Sequence, residues 1–182
     1  KITAIQAITL AIPIKPMTPA SAWSGATRKQ IVVRVSTDEG VTGTGEAFAY
    51  GAPLAVASII EESLTPLIVG QDPRRIEAVV DLMHRGTMIY GRRGLAMFAI
   101  SGVEIALWDL LGKLHGAPVY QLLGGATRPR LPAYASLMRY DSPADVAAAC
   151  RHFVARGFRM LKLHQIDVAS VLAAREAVGA EI

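Results

Sequence analysis

Apolar residues recur at every second position in the first third of the chain. Ile8, Leu10 and Ile12 alternate with polar or small neighbours until Pro13 and Pro16, which predicts a strand that ends there. A loop of small residues follows, from Pro16 to Thr27, with Trp23 inside it. Ile31, Val33 and Val35 alternate again as far as Asp38-Glu39-Gly40, a hairpin turn signal, and Val41 to Phe48 form the return strand. The period then lengthens. Pro53 suits the first turn of a helix running to about Leu67, with Gly70 beyond its end. Asp72 is the expected N-cap of a second helix, with Pro73 at its first position and Ile76, Val79, Val80 and Met83 as its buried stripe. A third helix spans about Leu95 to Leu114 and closes at Gly116, and a short segment from Val119 to Leu123 ends at Gly124-Gly125.

From Leu131 the pattern becomes strand, helix, strand, helix. Tyr134 to Leu137 reads as a short strand. Ser142-Pro143-Ala144-Asp145 reads as a capping box opening a helix that ends at Gly157. Phe158 to His164 is a second strand. Asp167 caps a last helix with Val168, Val171, Leu172 and Val178 as its apolar positions and Gly179 at its end. Such alternation predicts parallel βαβ units, set off from the first part by a linker at Gly124 to Arg130. The chain stops where a third parallel strand is due. Two such units cannot close a barrel, so the expectation is that the source sequence continues past Ile182.

Composition narrows the class. Of the 182 residues, 52% are hydrophobic, and the mean hydropathy of +0.34 is high enough that further apolar surface needs covering. The most apolar stretch, Leu95 to Leu111, contains Glu104 and Asp109, so no membrane span is expected. No signal peptide pattern opens the chain and Cys150 is solitary, pointing to a reducing, cytoplasmic setting and to an inert buried thiol. The net charge of +4 comes from scattered arginines without a run or interleaved aromatics, so no nucleic-acid partner is expected.

Candidate chemistry gathers on the last strand. Phe158, Met160, Lys162 and His164 share one face, while Arg159, Leu161 and Leu163 share the other. Lys162 and His164 thus reach the C-terminal edge, where parallel α/β folds place their active sites. A lysine extending from a strand end beside a loop histidine would present the same pattern without chemistry. Gly40-Val41-Thr42-Gly43-Thr44-Gly45-Glu46 fails as a dinucleotide fingerprint, because Phe48 stands where the third glycine belongs and no helix follows at once. Gly91-Arg92-Arg93-Gly94 lacks the ending of a phosphate loop. Glu104 and Asp109 do not share a helix face, and His84, His115 and His152 show no ligand spacing.

Three of these stretches resemble the mandelate racemase and muconate-lactonizing group of the enolase superfamily. They are Gly40 to Glu46; Ala99-Ile100-Ser101-Gly102-Val103-Glu104-Ile105-Ala106-Leu107-Trp108-Asp109-Leu110-Leu111-Gly112-Lys113, continuing to Gly125; and Gly157-Phe158-Arg159-Met160-Leu161-Lys162-Leu163-His164. The resemblance implies an α+β capping domain over residues 1–128, with a three-stranded antiparallel meander and a helical bundle. Residues 129–182 would be the first two βα units of a (β/α) TIM-type barrel. It implies the N-terminal part of a Mg²⁺-dependent dehydratase, racemase or cycloisomerase that removes the proton α to a carboxylate of a hydroxy acid or sugar acid through an enediolate. A Lys or His base acting with Mg²⁺ is the general pattern of that superfamily.

By the same resemblance Lys162 falls beside the substrate carboxylate. His164 is the acid/base, at a position where lysine is the commoner residue. Ser136 is a substrate-binding hydroxyl, and Trp23, Phe48 and Tyr50 are substrate contacts in the two capping loops. The metal ligands would lie beyond Ile182, leaving none in this chain, and the assembled enzyme would be a homo-oligomer. The other reading is a non-catalytic module that folds only by packing on a partner through its exposed sheet edge and apolar surface.

Overall fold

The computed structural model describes residues 1–14 and 27–182. Its packing divides into two units, one of Lys1–Ile12 with Thr27–Thr127 and one that carries Arg128–Ile182. The expected capping loop at Pro16–Thr27, Trp23 included, lies outside the described residues apart from Thr27.

In the first unit three strands lie in the order β1 (Ile2–Pro13), β2 (Thr27–Thr37), β3 (Thr42–Ala47). β2 and β3 are antiparallel, with Ile31 opposite Ala47 and Val35 opposite Gly43. The β2 alternation sends Ile31, Val33 and Val35 into the core without exposure. β1 differs from the expectation in two ways. It starts at Ile2, and its buried side chains are Ile2 and Ile5, whereas Leu10 and Ile12 are exposed. Burial follows position along the strand: the end at Ile2 and Ile5 is covered, while Leu10 and Ile12, on the same alternation as Ile2, lie at the open end.

The expected helix from Pro53 is three consecutive segments: α1 (Pro53–Ser58), a π-helical turn (Ile59–Leu64) and α2 (Thr65–Ile68). The cause is local. Pro66 has no N–H to donate and its ring crowds the preceding turn. The helix widens just before it, and the Thr65 N–H and hydroxyl both donate to the Ile60 carbonyl, the hydroxyl at 2.8 Å. Ile60, Leu64 and Ile68 keep one buried stripe through the change.

Asp72 does not cap a helix directly. Its carboxylate accepts from the Arg74 N–H at 3.0 Å, holding a turn over residues 72–75, and α3 (Ile76–Gly86) begins only after it. Ile76, Val79 and Met83 are buried as expected, with Val80 partly so.

α4 (Leu95–His115) ends at Gly116, whose left-handed backbone (φ +62°) closes the last turn. Contrary to the expectation from its charges, α4 is long and apolar enough to cross a membrane. Here it is a core helix, with Ala99, Ile100, Val103, Ala106, Leu107 and Leu110 buried against β3 and the other helices. The short helix α5 (Val119–Leu122) follows.

α4 crosses β3 at backbone distance. A Cβ on Gly43 would lie 2.0 Å from the Ala106 carbonyl oxygen, and one on Gly45 would lie 2.2 Å from the Gly102 carbonyl oxygen. The glycines that fail as a nucleotide motif are therefore a packing device. A polar clamp completes the contact. Asp109 accepts from the Thr44 N–H at 2.7 Å and from the Lys113 ammonium at 2.6 Å, and that ammonium also donates to the Thr42 carbonyl at 2.8 Å.

In the second unit two short parallel strands, β4 (Ala135–Ser136) and β5 (Leu161–Lys162), pair with Ala135 opposite Leu161 and Ser136 opposite Lys162. Both are shorter than the spans expected from Tyr134 and Phe158. Phe158 also joins the packed side, with its ring 6.0 Å from that of Phe153, so the face assigned to it from alternation holds only from Met160 onward. α6 (Pro143–Ala155) and α7 (Val168–Val178) pack on each other. Both caps match the expectation: Ser142 Oγ accepts from the Asp145 N–H at 3.2 Å, and Asp167 Oδ1 accepts from the Ser170 N–H at 2.7 Å. The core here is Ala135, Leu137, Tyr140, Val146, Ala149, Cys150, Phe153 and Ala174. Cys150 is fully buried, and that burial pushes its thiol up, away from the reactive thiolate. α7 departs from the pattern: Val168, Val171 and Leu172 are exposed, and its buried residues are Ser170 and Ala174.

Candidate functional site

Parallel pairing of β4 with β5 sorts their side chains by face. Ala135, Leu137, Leu161 and Leu163 turn to α6 and α7, and the alternate residues Tyr134, Ser136, Met160, Lys162 and His164 are exposed. Ser136 and Lys162 are direct partners in register, so their side chains leave the same open face at neighbouring positions. His164 lies two residues further on, in the turn that leads from β5 to α7. Neither the Lys162 ammonium nor the His164 imidazole has a hydrogen-bond or ion-pair partner among the described residues. A cation and an imidazole at open strand ends can meet an anionic ligand and exchange a proton with it.

The turn after His164 is fixed by groups that sequence reasoning did not single out. Gln165 Oε1 accepts from the Tyr140 N–H at 3.1 Å, and Gln165 Nε2 donates to the Tyr140 carbonyl at 2.9 Å. The Asp167 carboxylate is held below its ordinary value, first by the N–H of Ser170 and then by that residue's hydroxyl. The cap had a sequence signal. The Gln165 contact had none, since its partner lies 25 residues away.

The first unit holds the other described candidates. Phe48 and Tyr50 follow β3 and are exposed, Tyr50 at 78%. Their rings stack at 6.1 Å, and Phe48 meets Phe98 edge to face at 4.9 Å. Both are surface aromatics, and Phe48 is tethered to α4 through Phe98. Glu104 and Asp109 do not form a carboxylate pair; Asp109 is spent on the β3 clamp. Among the described residues no group of three His, Cys, Asp or Glu side chains is placed to hold a metal ion, so the residues present do not fit one.

Residues 3–124 match the family model for the N-terminal domain of mandelate racemase and muconate lactonizing enzymes. The chain belongs to that family. Within it, the chain is 40% identical over 137 residues to a D-galactonate dehydratase family member of Pseudarthrobacter chlorophenolicus, covering 75% of this chain and 33% of that protein. It is 35% identical over 161 residues to the arabinonate dehydratase of Saccharolobus solfataricus, covering 84% and 43%. Among solved structures, a racemase from Streptomyces coelicolor with bound magnesium superposes with a TM-score of 0.86 at 31% identity, over 98% of this chain and 52% of that one. The chain therefore spans a third to a half of the length of these relatives. The three-stranded sheet with its helices is the family's N-terminal domain, and the parallel pair β4–β5 is consistent with the start of its barrel.

Proposed function

We propose that this chain is the N-terminal part of an enzyme that removes the proton α to the carboxylate of a sugar acid or hydroxy acid. The names of the relatives, dehydratases of D-galactonate and arabinonate among them, support that substrate class. The observation that carries the reading is the open face of β4 and β5, where Ser136 and Lys162 are paired in register and His164 follows within two residues.

In this reading the Lys162 ammonium and Ser136 hydroxyl bind the substrate carboxylate. The His164 imidazole takes the α-proton, and Lys162 offsets the negative charge that develops on the carboxylate oxygens. An imidazole carries one nitrogen that can accept a proton and one that can donate, which suits transfer in either direction. Phe48 and Tyr50 offer an exposed aromatic surface for substrate contact, and Trp23 is a further candidate. Magnesium enters as a requirement of the whole enzyme, supported by the metal-bound racemase relative, with a ligand set outside the described residues.

The test is His164→Asn in the full-length enzyme, with D-galactonate and related aldonates as substrates. Exchange of the α-hydrogen with solvent deuterium, followed by NMR, is expected to fall by about 10²–10⁴-fold, the usual worth of a positioned acid/base. Exchange at the normal rate would remove His164 from the role and the reading with it.

A further inference from the structure

The Gln165 side chain occupies an unusual place for an amide. It follows His164 directly, yet it points back toward the loop after β4 and pairs with both backbone polar groups of one residue, Tyr140, at 3.1 and 2.9 Å. Its Nε2 also lies 3.5 Å from the hydroxyl of Ser170, a buried residue in the first turn of α7. One side chain thus joins the turn after β4, the turn after β5 and the start of α7, all within the second unit. The same turn is secured by Asp167, whose carboxylate accepts the Ser170 N–H. His164 itself has no side-chain partner among the described residues, so its imidazole is placed by its backbone alone.

We propose that Gln165 is a positioning residue for His164: its two-point grip on Tyr140 fixes the backbone from which the imidazole projects. The inference rests on the role proposed above for His164. The chemistry calls for an amide. Tyr140 offers one donor and one acceptor, so the gripping group must supply one of each. A carboxylate has no proton for the Tyr140 carbonyl, a thioether supplies neither bond, and asparagine is one methylene too short. Fixing a proton-transfer group to within a fraction of an ångström is worth far more to rate than to binding, since misplacement by about 1 Å can cost about 100-fold.

The experiment compares Gln165→Met, Gln165→Asn, His164→Asn and the Gln165→Met/His164→Asn pair in the full-length enzyme. The substrate is whichever of D-galactonate, D-arabinonate and related aldonates the wild type turns over fastest. Gln165→Met is expected to lower kcat and α-hydrogen exchange together by about 10–100-fold, with KM within about twofold, and to cost nothing further in the His164→Asn background. Gln165→Asn is expected to behave as Gln165→Met does. Unchanged kcat per folded molecule, or an equal loss in both backgrounds, would overturn the proposal, leaving Gln165 as a structural tie alone. A silent His164→Asn would overturn both readings, whereas a damaging His164→Asn beside a silent Gln165→Met would overturn only this one. If no aldonate is turned over, the decision passes to NMR of ¹⁵N-histidine-labelled protein. Gln165→Met is then expected to shift or broaden the His164 signals while those of His84, His115 and His152 stay in place, and unmoved His164 signals would overturn the proposal.

Discussion

At the scale of single residues, the positions that matter most to the first unit are those with no side chain. Gly43 and Gly45 let α4 approach β3 so closely that an added methyl at either would meet a backbone carbonyl, Ala106 at 2.0 Å or Gly102 at 2.2 Å. A flexible neighbour could rotate away, but a carbonyl inside a helix cannot move without the helix. Gly45→Ala is therefore expected to cost at least the ~3 kcal/mol at the upper end of overpacking penalties. For a protein of this size that lowers the unfolding midpoint by roughly 6–12 °C, measurable by circular dichroism, and a midpoint within a degree of wild type would contradict the packing described. The sequence showed that these glycines were not a nucleotide site. It could not show what they approach, because their partners lie some sixty residues downstream. Asp109 was similarly half legible. Its spacing to Lys113 suits an i, i+4 ion pair, but its bond to the Thr44 N–H is a tertiary fact.

At the scale of elements, what was legible was what is decided locally. Ser142, Asp167 and Gly116 act within four residues of themselves, and each does what its type predicts. What was not legible was decided by neighbours. Which end of β1 is buried depends on what packs against it; the π-helical turn has a local cause in Pro66, but a missing donor does not announce how the helix around it will widen. The Asp167 cap gives an element-scale prediction with a definite sign. Its carboxylate is held below the ordinary value of 3.8 by the Ser170 N–H and hydroxyl. A depressed carboxylate stabilises the fold above its unfolded-state value, and that contribution is lost as pH falls through the lower folded value. Asp167→Asn keeps a capping oxygen but removes the charge. Its unfolding midpoint is expected to lie below wild type at pH 7 and to converge with it in acid below pH 3.8. A gap that stays constant from pH 7 to pH 2 would show that the charge contributes nothing.

At the scale of the whole molecule, both units leave apolar side chains exposed, Ile89 at 96% in the first and Ile166 at 83% in the second, and they differ in the size of the core beneath. The first buries Ile31, Val33, Ile60, Leu64, Met83, Ile100, Leu107 and Leu110 to near zero exposure. The second buries Leu137, Val146 and Cys150 as fully, but leaves Ile166 at 83%, Val168 at 73% and Leu172 at 55% exposed, and its two strands are two residues long. Two strands with one open face are marginal without further pairing. This chain also spans only about half the length of its solved relatives. In the 182-residue chain the second unit is therefore expected to open first. Hydrogen exchange followed by mass spectrometry should find α6 and α7 losing protection at lower denaturant than α4, whose core faces are dry. The exposed positions identify the remedy. At about 25 cal/mol per Å² of apolar surface removed from water, covering Val168, Val171 and Leu172 is worth several kcal/mol, enough to bring α7 toward the stability of α4. Extending the chain to the length of its relatives should slow exchange in α7 more than in α4. Equal protection of α4 and α7 in the 182-residue chain would mean that the second unit is already complete, and the case for a barrel continuing past it would lose its physical basis.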